Sequence, residues 1–225
     1  HRALEKNYPP GSTVKPLILI AGLAEHKISS GQAISCTGFP PPEGWPRCIL
    51  QRDYGIGHDD QFAGEGGNIA RNAIRGSCNV YFTRLANRLD AEALQTWLFR
   101  FGYGQDILPT PVPVDNPISA PLSLDLPQAH GNLIYGIQRN PAMAVSDLPV
   151  IPVFEKKWWG MGQGNLRATV LQAANALSAI ARGGVYKSPR LVFDERDPLN
   201  DKHRRQIPVS SATLAVVRDG MHAVI

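Results

Sequence analysis

The feature that most constrains this chain is the stretch Tyr8-Pro9-Pro10-Gly11-Ser12-Thr13-Val14-Lys15-Pro16, which runs straight into the apolar segment Leu17 to Ala24. Paired prolines and a glycine form a rigid turn that cannot belong to a helix interior, and Pro16 is tolerated in a helix only within the first turn. The pattern therefore predicts a helix from about Ser12 to His26 with Ser12 at its cap. Its apolar run is far short of the roughly 20 residues that cross a bilayer, so this is a helix for a protein core. With 225 residues, 43% of them apolar, the chain can build one sizeable core or most of one large domain.

Further along, residues 36 to 67 form a Pro/Gly-rich excursion in which Pro40-Pro41-Pro42, Gly64, Gly66 and Gly67 disfavour long regular elements. A helical block follows. Asn68 to Arg75 and Asn79 to Leu89 read as two helices, and Asp90 should cap a third that ends near Phe101. The span from Pro109 to Pro152 carries nine of the chain's 19 prolines and reads as a surface-wrapping connection with short strands. Leu166 to Arg182 has the clearest amphipathic period and stops at Gly183-Gly184, and Ser210 should cap a last helix. Tyr186 to Phe193 is the main strand candidate. The visible part is thus mainly helical, in an α+β setting.

The net charge of +4 suits an anionic wall or membrane surface and equally fits no partner at all, and nothing resembles a basic stripe with interleaved aromatics, so a nucleic-acid partner is not expected. Lys156-Lys157 and His203-Arg204-Arg205 read as solvated faces. Trp158-Trp159 reads as a packed loop anchor rather than the lining of a groove. No signal peptide opens the chain, and both ends read as cuts in a longer protein.

Chemistry concentrates in two places. Ser12 and Lys15 stand three residues apart, which brings them to one face of a helix start, where free N–H groups favour developing negative charge. A lysine can serve as base toward such a serine once burial and cationic or dipolar neighbours make it neutral. Ser77-Cys78-Asn79 lies in a break between two helices, where a serine can relay a proton and an asparagine can hold both a lysine and a substrate amide. Taken alone, either triplet occurs by chance. Cys36, Cys48 and Cys78, with His58 among them, leave two readings open. One is a Cys36–Cys48 disulfide with Cys78 buried and free; the other is a tetrahedral Cys3His zinc site tying the loop to the Ser77 segment. The odd number of thiols leans toward the metal, because a disulfide strands one of them.

With these residues in view, the chain resembles the penicillin-binding transpeptidases. Tyr8 to Pro16 is similar to their nucleophile segment, and Ser77-Cys78-Asn79-Val80-Tyr81-Phe82 to their second motif. Phe101-Gly102-Tyr103-Gly104, Gly162-Gln163-Gly164 and the Thr169 to Gln172 helix start agree in order and spacing, with Val170 where the family usually has proline. Tyr-Pro-Pro-Gly-Ser-Thr-Val-Lys-Pro is most similar to the monofunctional, elongation-type members.

The resemblance implies an α+β fold, mainly the helical part of a penicillin-binding protein or serine β-lactamase-like transpeptidase domain. Residues 1–225 would form a partial domain, with most of the central antiparallel sheet outside it. It implies a peptidoglycan D,D-transpeptidase with catalytic Ser12, Lys15, Ser77 and Asn79, acylated by β-lactam antibiotics and acting on peptidoglycan stem peptides. It further implies a metal-binding cluster in the cysteine-bearing region, a place at the inner membrane facing the periplasm, and partnership with a SEDS-family glycosyltransferase and rod-complex scaffold proteins. The family's third motif, Lys-Thr-Gly or Lys-Ser-Gly, is missing from these residues, and Gly220-Met221 resembles the helix that precedes it. This departure implies that the fragment alone is inactive. The competing readings are a β-lactam sensor, a catalytically silent cell-wall scaffold and a serine β-lactamase. The last needs a deacylating water, and no glutamate-bearing loop is assigned to that task.

Overall fold

The computed structural model describes residues 1–108, 126–141, 143–191, 193, 195–201 and 203–224. Helices dominate: α1 (Arg2–Glu5), α2 (Lys15–Ala24), α3 (Ile49–Tyr54), α4 (His58–Gln61), α5 (Ala70–Arg75), α6 (Asn79–Arg88), α7 (Ala91–Arg100), α8 (Val153–Trp159), α9 (Val170–Ala181) and α10 (Ser211–His222). The described residues contain one two-stranded antiparallel sheet, β1 (Val185–Lys187) with β2 (Arg204–Gln206), in which Tyr186 faces Arg205.

Helix α2 is the axis. It is apolar on every side, and Leu17, Ile18, Leu19 and Ile20 are all fully buried, as expected of a helix with neighbours all round. It packs against α6, α7 and α10; α10 also lies along α5, and α8 along α6. Gly22 lets α2 approach α6 closely, because a Cβ there would stand 2.7 Å from the Leu85 side chain. The central position of α2 fixes its first turn, and so Lys15, against the start of α6.

Several expectations need correction. The first helix starts later than Ser12: Gly11–Val14 is a 3₁₀ turn, and the α-helix begins at Lys15. The expected start of α9 at Leu166 moves to Val170. The backbones of Arg167 and Ala168 instead bridge to Asn132 and Tyr8, and Thr169 closes a capping box with Gln172. The strand expected over Tyr186 to Phe193 shortens to Val185–Lys187, with Pro189 soon after. Val192 lies outside the described residues, as do residues 109–125 of the long connection. Among the described residues of its remainder there is no named strand, only a bridge at Asn132 and a 3₁₀ turn at Val145–Asp147. Asp90 stands at the N-cap of α7, but its carboxylate accepts from Lys27 rather than from the helix.

Helix α8 was not expected, although Pro152 at its cap, Glu155 in its first turn and Lys156-Lys157 in its last carry a dipole-matched signature. Lys156 is not solvated. It is buried and donates to the Asn87 and Leu89 carbonyls at 3.0 and 2.6 Å, closing the C-terminus of α6. Trp159 is fully buried, in keeping with an anchor. No described helix is long and apolar enough to cross a membrane.

Candidate active site and metal cluster

Ser12 lies exposed in the 3₁₀ turn, held there by the backbone rather than by a side-chain cap. Tyr8 pairs with Ala168 in both directions (2.8 and 2.9 Å), the Gly11 amide donates to the Gly162 carbonyl (3.0 Å), and the Thr13 hydroxyl donates to the Pro10 carbonyl (2.8 Å). Gly11 has φ +58°, a left-handed conformation that glycine adopts without strain.

Lys15, one residue past the turn, is only 2% exposed. Its Nζ donates to the Ser77 carbonyl at 2.6 Å, the Ser77 hydroxyl at 3.0 Å and the Asn79 Oδ1 at 2.8 Å. The Ser77 hydroxyl in turn donates to Ser12 Oγ at 3.1 Å. All four residues singled out in the sequence therefore meet, and Ser77 links the lysine to Ser12. Burial lowers the Lys15 pKa to about 8, against a smaller opposing pull from Cys78 and Cys48. The Phe82 ring lies 5.7 Å from Nζ on the core side.

Ser77 itself has φ +49°, uncommon for a residue with a side chain. The conformation turns the chain sharply between α5 and α6, so that Ser77 and Asn79 both reach Lys15 while Cys78 points the other way. Backbone groups that sequence patterns do not mark hold this arrangement. Asn79 Nδ2 donates to the Arg47 carbonyl at 3.3 Å, which aims Oδ1 at Lys15. His58 Nε2 lies 2.9 Å from the Gly76 carbonyl, just before Ser77.

On that other face, Cys36, Cys48, His58 and Cys78 are buried, with their ligand atoms all within 4.8 Å of one another. All three cysteines are free thiols, so the structure does not contain the Cys36–Cys48 disulfide. His58 Nδ1 lies 3.5 Å from Cys36 Sγ and 3.3 Å from Cys48 Sγ. A tetrahedral ion with Zn–S near 2.3 Å and Zn–N near 2.0–2.1 Å sets an S···N edge of roughly 3.5 Å, which the two His58–cysteine edges match. The outer contacts fit as well: His58 offers Nδ1 inward while Nε2 meets a carbonyl, and Cys78 Sγ accepts from Asn68 Nδ2 (3.3 Å) and the Tyr81 amide (3.4 Å).

The four groups polarise one another. Hydrogen bonds from Cys36 and Cys78 push the Cys48 thiol far down, whereas burial pushes Cys78 up. Burial works against the His58 cation, but bonds with Cys36 and Cys48 outweigh it and raise the imidazole to about 10. Asn68 was missed as a supporting residue, since it read only as the start of a helix.

A solvent-facing serine joined through a second hydroxyl to a buried, easily neutralised lysine is an arrangement suited to serine acyl transfer. The model of the penicillin binding protein transpeptidase domain matches residues 1–225, and the chain belongs to that family. It is 28% identical over 199 residues to the peptidoglycan D,D-transpeptidase MrdA of Acinetobacter baumannii, covering 85% of this chain and 25% of that protein. With MrdA of Escherichia coli K12 the identity is 24% over 237 residues, covering 100% of this chain and 32% of the other. Pseudomonas aeruginosa PBP2, solved in complex with WCK 5153, superposes with a TM-score of 0.70 at 25% identity, over 98% of this chain and 45% of that one. The chain thus spans between a quarter and a third of these curated relatives. The mainly helical α+β reading of the sequence agrees with this fold.

Proposed function

We propose that residues 1–225 form the nucleophile-bearing part of a peptidoglycan D,D-transpeptidase domain, with Ser12 as its nucleophile. Ser12 Oγ attacks the penultimate D-Ala carbonyl of a stem peptide while its proton passes to neutral Lys15, directly or through Ser77. The tetrahedral adduct collapses to the acyl-serine, and the lysine proton moves through Ser77 to the departing D-Ala amine. An amine from a neighbouring stem peptide then attacks the ester and gives its proton to Lys15, which passes it to the leaving Ser12 Oγ, so that Ser12 is freed as a hydroxyl and Lys15 is neutral again. Asn79 orients Lys15 and offers its amide edge to the substrate backbone.

The observation that carries this reading is the continuous chain Lys15–Ser77–Ser12, with bonds of 3.0 and 3.1 Å and the lysine pKa near 8. A β-lactam presents the same carbonyl within a ring, so it acylates Ser12 and retains its leaving group. The test is penicillin treatment of the intact protein carrying this chain, followed by peptide mapping. An adduct on Ser12 is expected; one on another residue, or none, would sink the assignment.

We assign the Cys36, Cys48, His58 and Cys78 set to a structural zinc ion. The fit of the donor distances and the buried thiol-rich chemistry support zinc, and the closed four-protein shell gives the ion a structural role. When bound, it supplies a fixed cross-link and neutralises thiolate charge. From family resemblance we further infer a whole protein at the inner membrane with this domain in the periplasm, partnered by a SEDS-family glycosyltransferase and scaffold proteins of the rod complex.

A further inference from the structure

Glu155 is a buried carboxylate that the acyl-transfer chemistry does not use, 4% exposed, and the hydrogen bonds described for it come from uncharged donors. Its Oε2 accepts from Trp159 Nε1 and from the Asn165 amide, each at 3.1 Å, and its Oε1 accepts from Asn165 Nδ2 at 2.8 Å. Two of these donors lie just beyond the Gly162-Gln163-Gly164 turn. A buried anion is costly unless its hydrogen bonds hold it, and those bonds are correspondingly strong. Glu155 therefore ties the far end of that turn to α8.

The near end of the turn lies against the nucleophile. The Gly162 carbonyl accepts from the Gly11 amide at 3.0 Å, and a Cβ on Gly162 would stand 2.2 Å from the Gly11 carbonyl oxygen. A Cβ on Gly164 would stand 2.5 Å from Glu155 Oε2. Both glycines have φ +71°, so the turn is seated between two close approaches, one on the carboxylate and one on the residue before Ser12. We propose that Glu155 is a positioning residue for Ser12, acting through the 162–164 turn on the Gly11 backbone. This rests on the acyl-transfer reading only for its kinetic consequence.

The test uses the intact protein carrying this chain and two variants. In Glu155→Gln, one oxygen still accepts from Trp159 and the Asn165 amide, but the new NH₂ opposes Asn165 Nδ2. In Glu155→Gln/Asn165→Asp, that pair is complementary again with donor and acceptor exchanged, and the new carboxylate can still accept from the Gly136 amide that now bonds Asn165 Oδ1. Acylation by saturating penicillin should fall about 10²-fold in the single variant, the scale of a misplacement near 1 Å. Exchange of the Gly11 amide should speed up while metal content stays unchanged, and the double variant should recover most of both losses.

A single variant with wild-type rate and wild-type Gly11 exchange overturns the proposal. So does a rate loss with unchanged Gly11 exchange, or one that the double variant fails to recover. If the single variant does not fold, Trp159→Phe removes one donor while keeping a smaller aromatic ring in its place; faster Gly11 exchange supports the proposal and unchanged exchange defeats it. Wild-type protein that penicillin does not label at Ser12 defeats the transpeptidase reading instead, and the exchange test stands without it.

Discussion

Two polar clusters share the segment Ser77-Cys78-Asn79 and are built by opposite means. On one face Lys15 meets neutral acceptors, three oxygens within 3.0 Å, and the group it serves, Ser12, is open to solvent. On the other, three thiols and an imidazole are buried together with partners for their outer atoms. The first cluster keeps a charge uneasy, because burial works against the ammonium and no described carboxylate pairs with it. The second gathers groups that satisfy one another, or an ion, almost completely. Under the proposed roles, the cluster that reacts is left short of electrostatic satisfaction and the one that holds a loop is not.

The largest expected effect breaks the first cluster alone. Ser12→Ala should abolish the penicillin adduct, and Lys15→Ala should slow acylation by several orders of magnitude, since the base and an oriented donor are lost together. Intact-protein mass spectrometry reads both. Metal content should be unchanged in either variant, because the ligand atoms face away from Ser12. An adduct that persists in Ser12→Ala places the nucleophile elsewhere.

Breaking the second cluster should damage both. Cys78→Ser removes one ligand from the segment that carries Ser77 and Asn79, and a strong chelator should act likewise on the wild type. Loss of a structural metal falls among the severe destabilisations, about 3 kcal/mol or more, which lowers the melting temperature of a domain this size by roughly 6–12 °C. Acylation should weaken in parallel, since His58 meets Gly76 and Cys48 follows Arg47, whose carbonyl orients Asn79. Calorimetry with metal analysis decides it: a protein that binds no zinc stoichiometrically, or melts alike with and without chelator, refutes the structural ion.

A smaller effect is electrostatic and links the two clusters. With Lys15 near 8, the penicillin acylation rate should rise with pH through about 8 as the lysine loses its proton. Cys78 and Cys48 oppose that fall with a smaller upward pull, so the titration of Lys15 also senses the second cluster. Stability carries the matching sign. The unfolded chain keeps its proton up to the ordinary lysine value of 10.5, while the folded one releases it near 8. The unfolded state therefore binds more protons between those values, and Lys15 makes folding more favourable as pH rises through that window. Below it, both states are protonated and the burial penalty is present in full. A flat pH–rate profile from 7 to 9 would remove Lys15 from the role of base.

How much of this was legible in the sequence follows the same division. Ser12, Lys15, Ser77 and Asn79 were readable as one set through their likeness to the family's motifs, since either triplet alone occurs by chance, and the structure brings the four together. The cysteine cluster was readable as a set of residues but not as a geometry, since spacing alone allowed a disulfide as easily as a metal. What escaped were contacts made by backbone atoms. The Arg47 and Gly76 carbonyls and the Gly11–Gly162 bond depend on where loops come to rest, and any residue type supplies a carbonyl. Lys156 was misread for a related reason: its charge suggested solvent, but the bare carbonyls at the end of α6 gave the ammonium a buried place. Helix α9 was read four residues too long at its start, because apolar periodicity continues through Leu166 while the backbone there is already paired with Tyr8 and Asn132.

That pairing supports the smallest prediction. Thr169 Oγ1 accepts from the Gln172 amide at 3.1 Å, and Gln172 Oε1 accepts from the Thr169 amide at 2.8 Å, which fixes where α9 begins. Thr169→Ala removes one cap bond and should cost about 1 kcal/mol, or roughly 2–4 °C in melting temperature. Ala168, the residue before it, carries the bridge to Tyr8 and hence the entry to the Ser12 turn. Because that bridge is made by backbone atoms on both sides, the variant keeps it, and acylation should change less than about twofold, within RT of free energy. Gln172 also donates to the Gln105 and His130 carbonyls, so Gln172→Ala strips a buried hub and should cost more than Thr169→Ala while leaving the metal in place. Chemical denaturation of the two variants beside their acylation rates separates the cases. If Thr169→Ala loses acylation out of proportion to its stability, the Ser12 turn takes its position from the α9 cap as well as from the Gly162 turn.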